Sequence, residues 1–462
     1  MADFVNNFSP SAPQSVLPAD RGDAGVKRSW LFRLPKLSIW DWYAFLLSTA
    51  SWASINVGGL LFGSDFMLIL GLPIVLTTNH KVLFYRPVRR VLVLAGLWLL
   101  AQIITDLIRG TEPKDFLRGW LKIGFTMAQF CVIWVLVHNS KKRVVLYAIG
   151  LALGTTLRIL TFSNPYFVTD PWKFGFAFPA SIAVLLYVSF LMRNRYSVYH
   201  LLPLVALAML NVYEAYRSQA FILMITIVAT HGYKSLRVSG RTLSKTKLAG
   251  IAVVLILASV TVDKVYSYAA AQMWLGEGAY RKFELQSGGE GGVLLGGRSE
   301  ILASSAAVAD SPWIGHGSWP HDPKYLWIMI VRLRSLGYHQ LKDDENTQAD
   351  AQNGTIPAHS ALMGAWVEAG IFGAVFWVYI LNLLVRYLVN LRGDEPFFAF
   401  AMFQVILLAW DILFSPFAAE RRFSVTYFLA LLLAINYQRD RQQEESKRLP
   451  EPHSAPAFAT SS

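Results

Sequence analysis

One cysteine, Cys131, occurs in 462 residues, so no disulfide can form within the chain in any compartment. It lies in the apolar run AQFCVIWVLV, where a thiol behaves as a small hydrophobe. Charge is scarce as well. Asp, Glu, Lys and Arg make up 16% of the residues, against about 25% in an ordinary soluble domain. That deficit excludes a disordered chain, a collagen-like chain and a conventional water-soluble enzyme. What is abundant is apolar: 54% of residues are hydrophobic, 14% are aromatic, and the mean hydropathy is +0.39. Lipid is the expected solvent. The 42 Lys and Arg outnumber the 30 Asp and Glu, giving a net charge of +12. Such an excess suits nucleic acid or a membrane surface, and its distribution along the chain decides between them.

Residues 1–28 are polar and rich in Ser, Pro, Ala and Asp, and read as part of a disordered cytosolic tail, residues 1–38, without a cleavable signal. A second such tail is expected over 438–462. Between the tails, apolar stretches recur near the ~20 residues needed to cross a bilayer. The candidates are 39–57, 60–78, 91–108, 117–137, 144–162, 174–192, 198–213, 218–232, 248–266, 359–384, 397–415 and 421–437. The fold class expected is an all-α polytopic membrane protein of about twelve spans.

Loop charge orients these spans. With the N-terminus inside, alternate connections carry basic clusters: Arg21 to Lys36, Lys81 to Arg90, Lys141 to Arg143, Arg193 with Arg195, Lys234 to Lys247, Arg386 with Arg392, and Arg439 to Arg448. More than half of the Lys and Arg fall there, as the positive-inside rule requires. The charge excess is therefore an orientation signal, nucleic acid is not needed to explain it, and both termini are expected in the cytosol. Nine spans occupy 39–266, a single long outer loop 267–358, and three spans 359–437. A loop of that length is usually functional.

Ionisable groups in or beside spans are costly and mark candidate sites. Lys122, Arg158, Glu214 with Arg217, Glu368, Asp411, Arg421 and Arg422 are of this kind. Arg158, Glu214, Arg217, Arg421 and Arg422 fall near the outer face, with Arg298 in the long loop and His359 at the start of the tenth span. Arg presents a planar fork of donors to phosphate and stays charged when desolvated, so the set fits an anionic, phosphorylated substrate. His359 is expected in the first turn of its helix, where the dipole disfavours imidazolium and leaves a neutral ring able to accept a proton. Lys122 and Asp411 are expected to find partners inside the bundle. His316, His321 and His339 match no metal-ligand spacing, and no metal or cofactor is expected.

Three stretches carry a family resemblance: EAYRSQAFILMI, GGRSEILASSAAVADSPWIGHG and HSALMGAWVEAGIFG. Their order, and the single long outer loop before the third, resemble the bacterial O-antigen ligase and O-antigen polymerase superfamily. The resemblance implies a C-type (GT-C) glycosyltransferase fold in the inner membrane. It also implies metal-independent, inverting transfer of a glycan from an undecaprenyl-diphosphate carrier to an acceptor sugar at the periplasmic face. On the matching positions, Arg217 and Arg298 would bind the donor diphosphate and His359 would deprotonate the acceptor hydroxyl. Arg158, Glu214, Glu368, Arg421 and Arg422 would support them. One long outer loop favours a ligase acting on a lipid A core over a polymerase of O-antigen or exopolysaccharide. Ser360 departs from the Asn that often follows the family's His. A lipid-linked glycan flippase is the alternative of a different class, which related halves would mark; no repeat is visible.

Overall fold

The computed structural model describes residues 36–57, 59–162, 165–193, 195–238, 264–287, 289, 296–338, 354–390 and 397–448. The chain enters through α1 (Ile39–Thr49), started by a capping box in which Ser38 and Asp41 exchange side-chain and backbone hydrogen bonds. A 3-10 turn follows, then an antiparallel hairpin of β1 (Ser54–Asn56) and β2 (Leu60–Phe62). This corrects the expected first span, 39–57. An eleven-residue helix rises roughly 16 Å, about half a hydrocarbon core. Its early end follows from Ser54 to Gly59, where β-branched and small residues favour a turn-back over continued helix.

Among the described residues, six helices are long and apolar enough to cross a membrane. They are α2 (Gly63–Asn79, prolonged to Phe84 by a 3-10 turn), α3 (Arg86–Arg109), α4 (Pro113–Val137), α5 (Lys141–Thr161), α6 (Ala177–Leu191, preceded by the π turn Trp172–Phe176) and α13 (Ile371–Asn390). Between the last two in sequence lie α7 (Leu202–Tyr213), α8 (Arg217–Val238), α9 (Glu277–Ser287), α10 (Glu300–Asp310), α11 (Pro323–Ser335) and α12 (Ala361–Ala369). The chain closes with α14 (Phe398–Phe414) and α15 (Arg421–Arg448). The expected ninth span, 248–266, falls almost wholly outside the described residues, as does 1–35. The final helix runs to Arg448, past the boundary expected at 438, because the segment QRDRQQEESKR is rich in helix-forming Gln, Glu, Arg and Lys.

Helix α3 shows which solvent the fold was built for. Its outward stripe is apolar: Val93, Leu97, Leu100, Ile104 and Leu107 are exposed. Its inward face holds Val91, Ala95 and Trp98, and then Gln102, Thr105 and Asp106 toward one end. Apolar outside and polar inside reverses the pattern of a soluble helix and fits a lipid surround. Trp98 packs on Phe376 and Trp377 of α13, with ring centroids 5.1 and 5.8 Å apart. Helices α1 and α5 meet at Gly150 and Gly154, where an added Cβ would lie 2.5 Å from the Phe45 carbonyl and 2.7 Å from that of Thr49. Small residues spaced by four let helix backbones touch, the usual device of packing in lipid.

Candidate active site

The expected tenth span, 359–384, is two helices. Gly370 lies at φ 64, and a Cβ there would sit 2.1 Å from the Trp313 carbonyl oxygen, so the loop segment 313–317 occupies the space that a continuous helix would need. His316 N–H donates to the Val367 carbonyl at 2.7 Å, and Gly317 N–H to that of Glu368 at 3.0 Å. The sequence motifs SPWIGHG and VEAGIFG are thus two halves of one joint.

The loop is fixed from the other side by a buried carboxylate. Asp106, 2% exposed, accepts from Ser318 N–H at 2.6 Å, Ser318 Oγ at 2.7 Å, Trp120 Nε1 at 2.8 Å and Thr111 Oγ1 at 2.9 Å. Arg109 donates through Nε and Nη2 to the Gly315 carbonyl at 3.0 and 2.7 Å. A carboxylate that accepts this many hydrogen bonds holds the turn as one unit. His316 is part of that scaffold: its Nε2 lies 2.8 Å from the Ala307 carbonyl, and its ring packs edge-on to Tyr325. His321 lies 3.6 Å from Asp115, and His339 lies outside the described residues.

On this scaffold the candidate residues converge. His359 Nδ1 stands 3.4 Å from Glu300 Oε1. Partial burial, with Arg298, Arg421 and Lys173 close enough to repel a second cation, pushes the imidazole down from 6.5 to about 4. Arg298 in turn feels Glu300, Arg217 and Arg421, and its burial draws its ionisation downward. Arg217, Arg298, Arg421 and Lys173 therefore gather around a neutral histidine, with Glu300 beside the ring and Asp411 paired to Arg421. Lys173 reaches it from the π turn, an irregularity common at functional sites. His359 lies ahead of the helix cap instead of in its first turn, so burial and neighbouring cations, rather than the helix dipole, hold it neutral. Ser360 is the cap. Its hydroxyl accepts from Met363 N–H at 3.2 Å and donates to the Ile412 carbonyl at 2.9 Å, tying the start of α12 to α14.

Arg217 is delivered by a strained turn. Ala215 has φ 53, a conformation usually left to glycine, and Tyr216 N–H donates back to the Asn211 carbonyl at 2.8 Å. Arg217 then lies over the Tyr266 ring, 4.4 Å from its centroid. Glu214 ends α7, its N–H bonded to the Leu210 carbonyl.

The remaining candidates are ion-paired with other helices. Three consecutive charges after α14 each hold a different helix: Glu420 pairs with Arg158 of α5 at 3.1 Å, Arg421 with Asp411 of α14, and Arg422 with Asp65 of α2. The Arg422 guanidinium also lies over the Phe62, Phe125 and Phe423 rings. Glu368 pairs with Lys122 at 2.8 Å. Arg158, Arg422 and Glu368 thus brace the helix ends, and of the supporting set Arg421 faces His359 and Arg298. Glu300, Lys173 and Asp106 were not singled out from sequence. The signal for Glu300 was an acidic residue opening a helix two positions after Arg298. Among the described residues, no three His, Cys, Asp or Glu side chains gather as metal ligands.

The arrangement can bind a multivalent anion and accept one proton beside it. Comparison of the chain with family models, with curated proteins and with solved structures finds no match.

Proposed function

We propose that the chain is a membrane glycosyltransferase that moves a glycan from an undecaprenyl-diphosphate carrier to an acceptor hydroxyl at the periplasmic face, in the manner of an O-antigen ligase. The observation that carries this reading is the meeting of Arg217, Arg298 and Arg421 with His359 and Glu300. The three Arg are drawn from three separated segments of the chain, and the Glu300 and Asp411 carboxylates beside them offset only part of their mutual repulsion. A bound diphosphate would offset that repulsion.

The reaction follows from these groups. The acceptor oxygen attacks the anomeric carbon from the face opposite the diphosphate, the glycosidic bond to phosphate breaks, and its electron pair leaves with the diphosphate. The Arg cluster stabilises that developing charge where water would otherwise have to. Glu300 faces Nδ1 of His359, which favours a proton on that nitrogen and leaves Nε2 to take the hydroxyl proton. An imidazole near 4 is a weak base, but a dianion among the cations would lift it toward neutrality, so donor binding prepares the base. Attack opposite the leaving group inverts the anomeric centre.

The test is reconstitution of the purified full chain in detergent with an undecaprenyl-diphosphate-linked glycan and candidate acceptors. Glycan appearing on lipid A core supports the ligase, and a lengthened lipid-linked chain supports a polymerase. Either product, formed without a sealed compartment, excludes transport as the sole role. Flipping of the lipid-linked glycan in vesicles, with no covalent product under any acceptor, would overturn the reading.

A further inference from the structure

Trp319 carries features that the transfer site does not use. Its backbone lies at φ 51, in the left-handed region that bulky side chains avoid, and strain of that kind persists where the surroundings over-determine it. Here they do so on both sides. Ser318, just before it, is held by Asp106 through backbone and hydroxyl, and its Oγ accepts from Gln102 Nε2 at 2.9 Å. Pro320, just after it, accepts from Ile356 N–H at 3.0 Å, and His321 bridges to Thr355. A ring so firmly placed would be expected to fill a core, yet Trp319 is 43% exposed.

Its surroundings are polar and mixed in sign. The Arg118 guanidinium lies 5.6 Å and Lys122 Nζ 5.8 Å from the ring centroid. Asp115 stands 3.5 Å from Arg118 and 3.6 Å from His321 Nε2. A half-exposed, immobilised indole thus has two cations over the ring, with a carboxylate paired to one of them and to an imidazole. The site combines a stacking surface with donors and acceptors, the mixture that a pyranose ring with its apolar C–H face and rim of hydroxyls requires. A Trp that merely marks the lipid interface needs neither the strained backbone nor the neighbouring carboxylate.

We propose that Trp319, with Asp115, Arg118 and His321, is a saccharide-binding subsite that holds a sugar unit of the acceptor glycan away from the reacting hydroxyl. Its assignment to the acceptor rests on the transferase reading; the binding of sugar does not. Helix α12 gives the spacing. His359 lies ahead of its N-terminus, and Glu368, near its C-terminus, pairs with Lys122 beside Trp319. Nine helical residues rise roughly 14 Å, a span of two to three linked sugars. Hydrogen bonds from His316 and Gly317 to the Val367 and Glu368 carbonyls tie the loop that leads to Trp319 onto that end of α12.

The experiment separates binding from chemistry. Purified full-length protein is screened against a library of di- to hexasaccharide fragments of bacterial surface polysaccharides, and hits are titrated by saturation-transfer NMR. Wild type and His359→Ala should bind the same oligosaccharides, Trp319→Ala should lose at least tenfold in affinity, and Trp319→Phe should retain most of it. Asp115→Asn should weaken binding of the oligosaccharides while leaving donor KM unchanged. In the transfer assay, Trp319→Ala should raise KM for the acceptor while leaving KM for the donor unchanged. Absence of any bound fragment, or equal affinity of wild type and Trp319→Ala, would overturn the subsite. So would quenching of Trp319 by brominated lipid that saturating oligosaccharide leaves unaltered, since that marks an interfacial anchor. If fragments bind but no transfer occurs with any acceptor, the subsite stands and the transferase reading fails.

Discussion

Glu300 Oε1 and His359 Nδ1 stand 3.4 Å apart, which joins the first residue of α10 to the residue ahead of the cap of α12. A carboxylate on one imidazole nitrogen fixes the tautomer and directs the other nitrogen toward a reacting proton. On the proposed transferase reading, His359→Ala is therefore expected to lower transfer by about 10²- to 10⁴-fold, the usual range for loss of a general base. Glu300→Gln keeps the shape and removes the charge, so it should lower kcat less, with donor KM nearly unchanged. The measurement is steady-state transfer on purified protein. Full activity in both variants would remove His359 from the mechanism.

The ionisation of His359 gives a second prediction. Its folded-state value of about 4 lies below the ordinary 6.5, so the ring is neutral at pH 7. The sign follows directly: the unfolded chain takes up this proton more readily, so the stability that the neutral ring contributes is complete above about 6.5 and declines as pH falls toward 4. Arg298→Met removes one of the repelling cations and should raise the value. Addition of a polyprenyl-diphosphate analogue to wild type should raise it further. Histidine Cε1 titration by NMR, with His359→Ala to assign the resonance, reads both shifts. An unmoved midpoint in both experiments would contradict the electrostatic account.

The parts of the site that could be read from sequence were those whose chemistry is costly in lipid. Arg217, Arg298 and His359 stood out because charge and imidazole in an apolar chain invite a reason, and the structure brings them together. The braces were harder to read. Glu368 and Arg422 carry the same signal as Arg298, and only their partners Lys122 and Asp65, distant in sequence, show that they tie helices together. The break at Gly370 was hidden for a similar reason. Its cause is the Trp313 carbonyl, contributed by a loop that no local pattern places there. The early end of α1 was masked by composition, since the hairpin Ser54–Phe62 is nearly as apolar as a span.

Asp65 and Arg422 form a buried ion pair, each side chain 3% exposed. Removing one partner leaves the other charge without compensation, at a cost of about 3–5 kcal/mol. Asp65→Ala should consequently be far less stable than wild type in detergent. The double variant Asp65→Leu/Arg422→Met should recover much of the loss, because apolar side chains of similar size often replace such pairs at little cost. Thermal unfolding followed by intrinsic fluorescence distinguishes the two. A double variant no better than the single would mean the pair serves more than bracing.

Gly370 tests the joint between loop and helix. Alanine there must place a Cβ against backbone, the Trp313 carbonyl at 2.1 Å, and adopt φ 64 as well. Backbone cannot yield as a flexible side chain does, so Gly370→Ala should push the 313–317 turn away and loosen Gly317 from Glu368. The expected result is new proteolytic cleavage in the loop and loss of transfer greater than any change in donor binding. Gly364→Ala is the control, since its nearest neighbour is the Ala358 Cβ at 3.8 Å. Equal protease resistance of the two variants would refute the joint.

Ala215 poses the opposite question, whether strain beside Arg217 is a cost the fold tolerates or a requirement of the site. The turn is closed by hydrogen bonds from Glu214, Ala215 and Tyr216 back to Leu210, Val212 and Asn211, none of which needs the Ala methyl group. A left-handed L-residue costs about 1–2 kcal/mol relative to glycine. Ala215→Gly should then stabilise by about 1 kcal/mol and keep Arg217 over Tyr266, because the same hydrogen bonds hold the turn. Ala215→Val adds a branched side chain to the same conformation and should destabilise by more than alanine does. If the glycine variant is more stable and fully active, the strain is only the means of turning the chain. If it is more stable but binds the donor more weakly, the stiffness of alanine is what holds Arg217 against the diphosphate, and stability has been given up for that purpose.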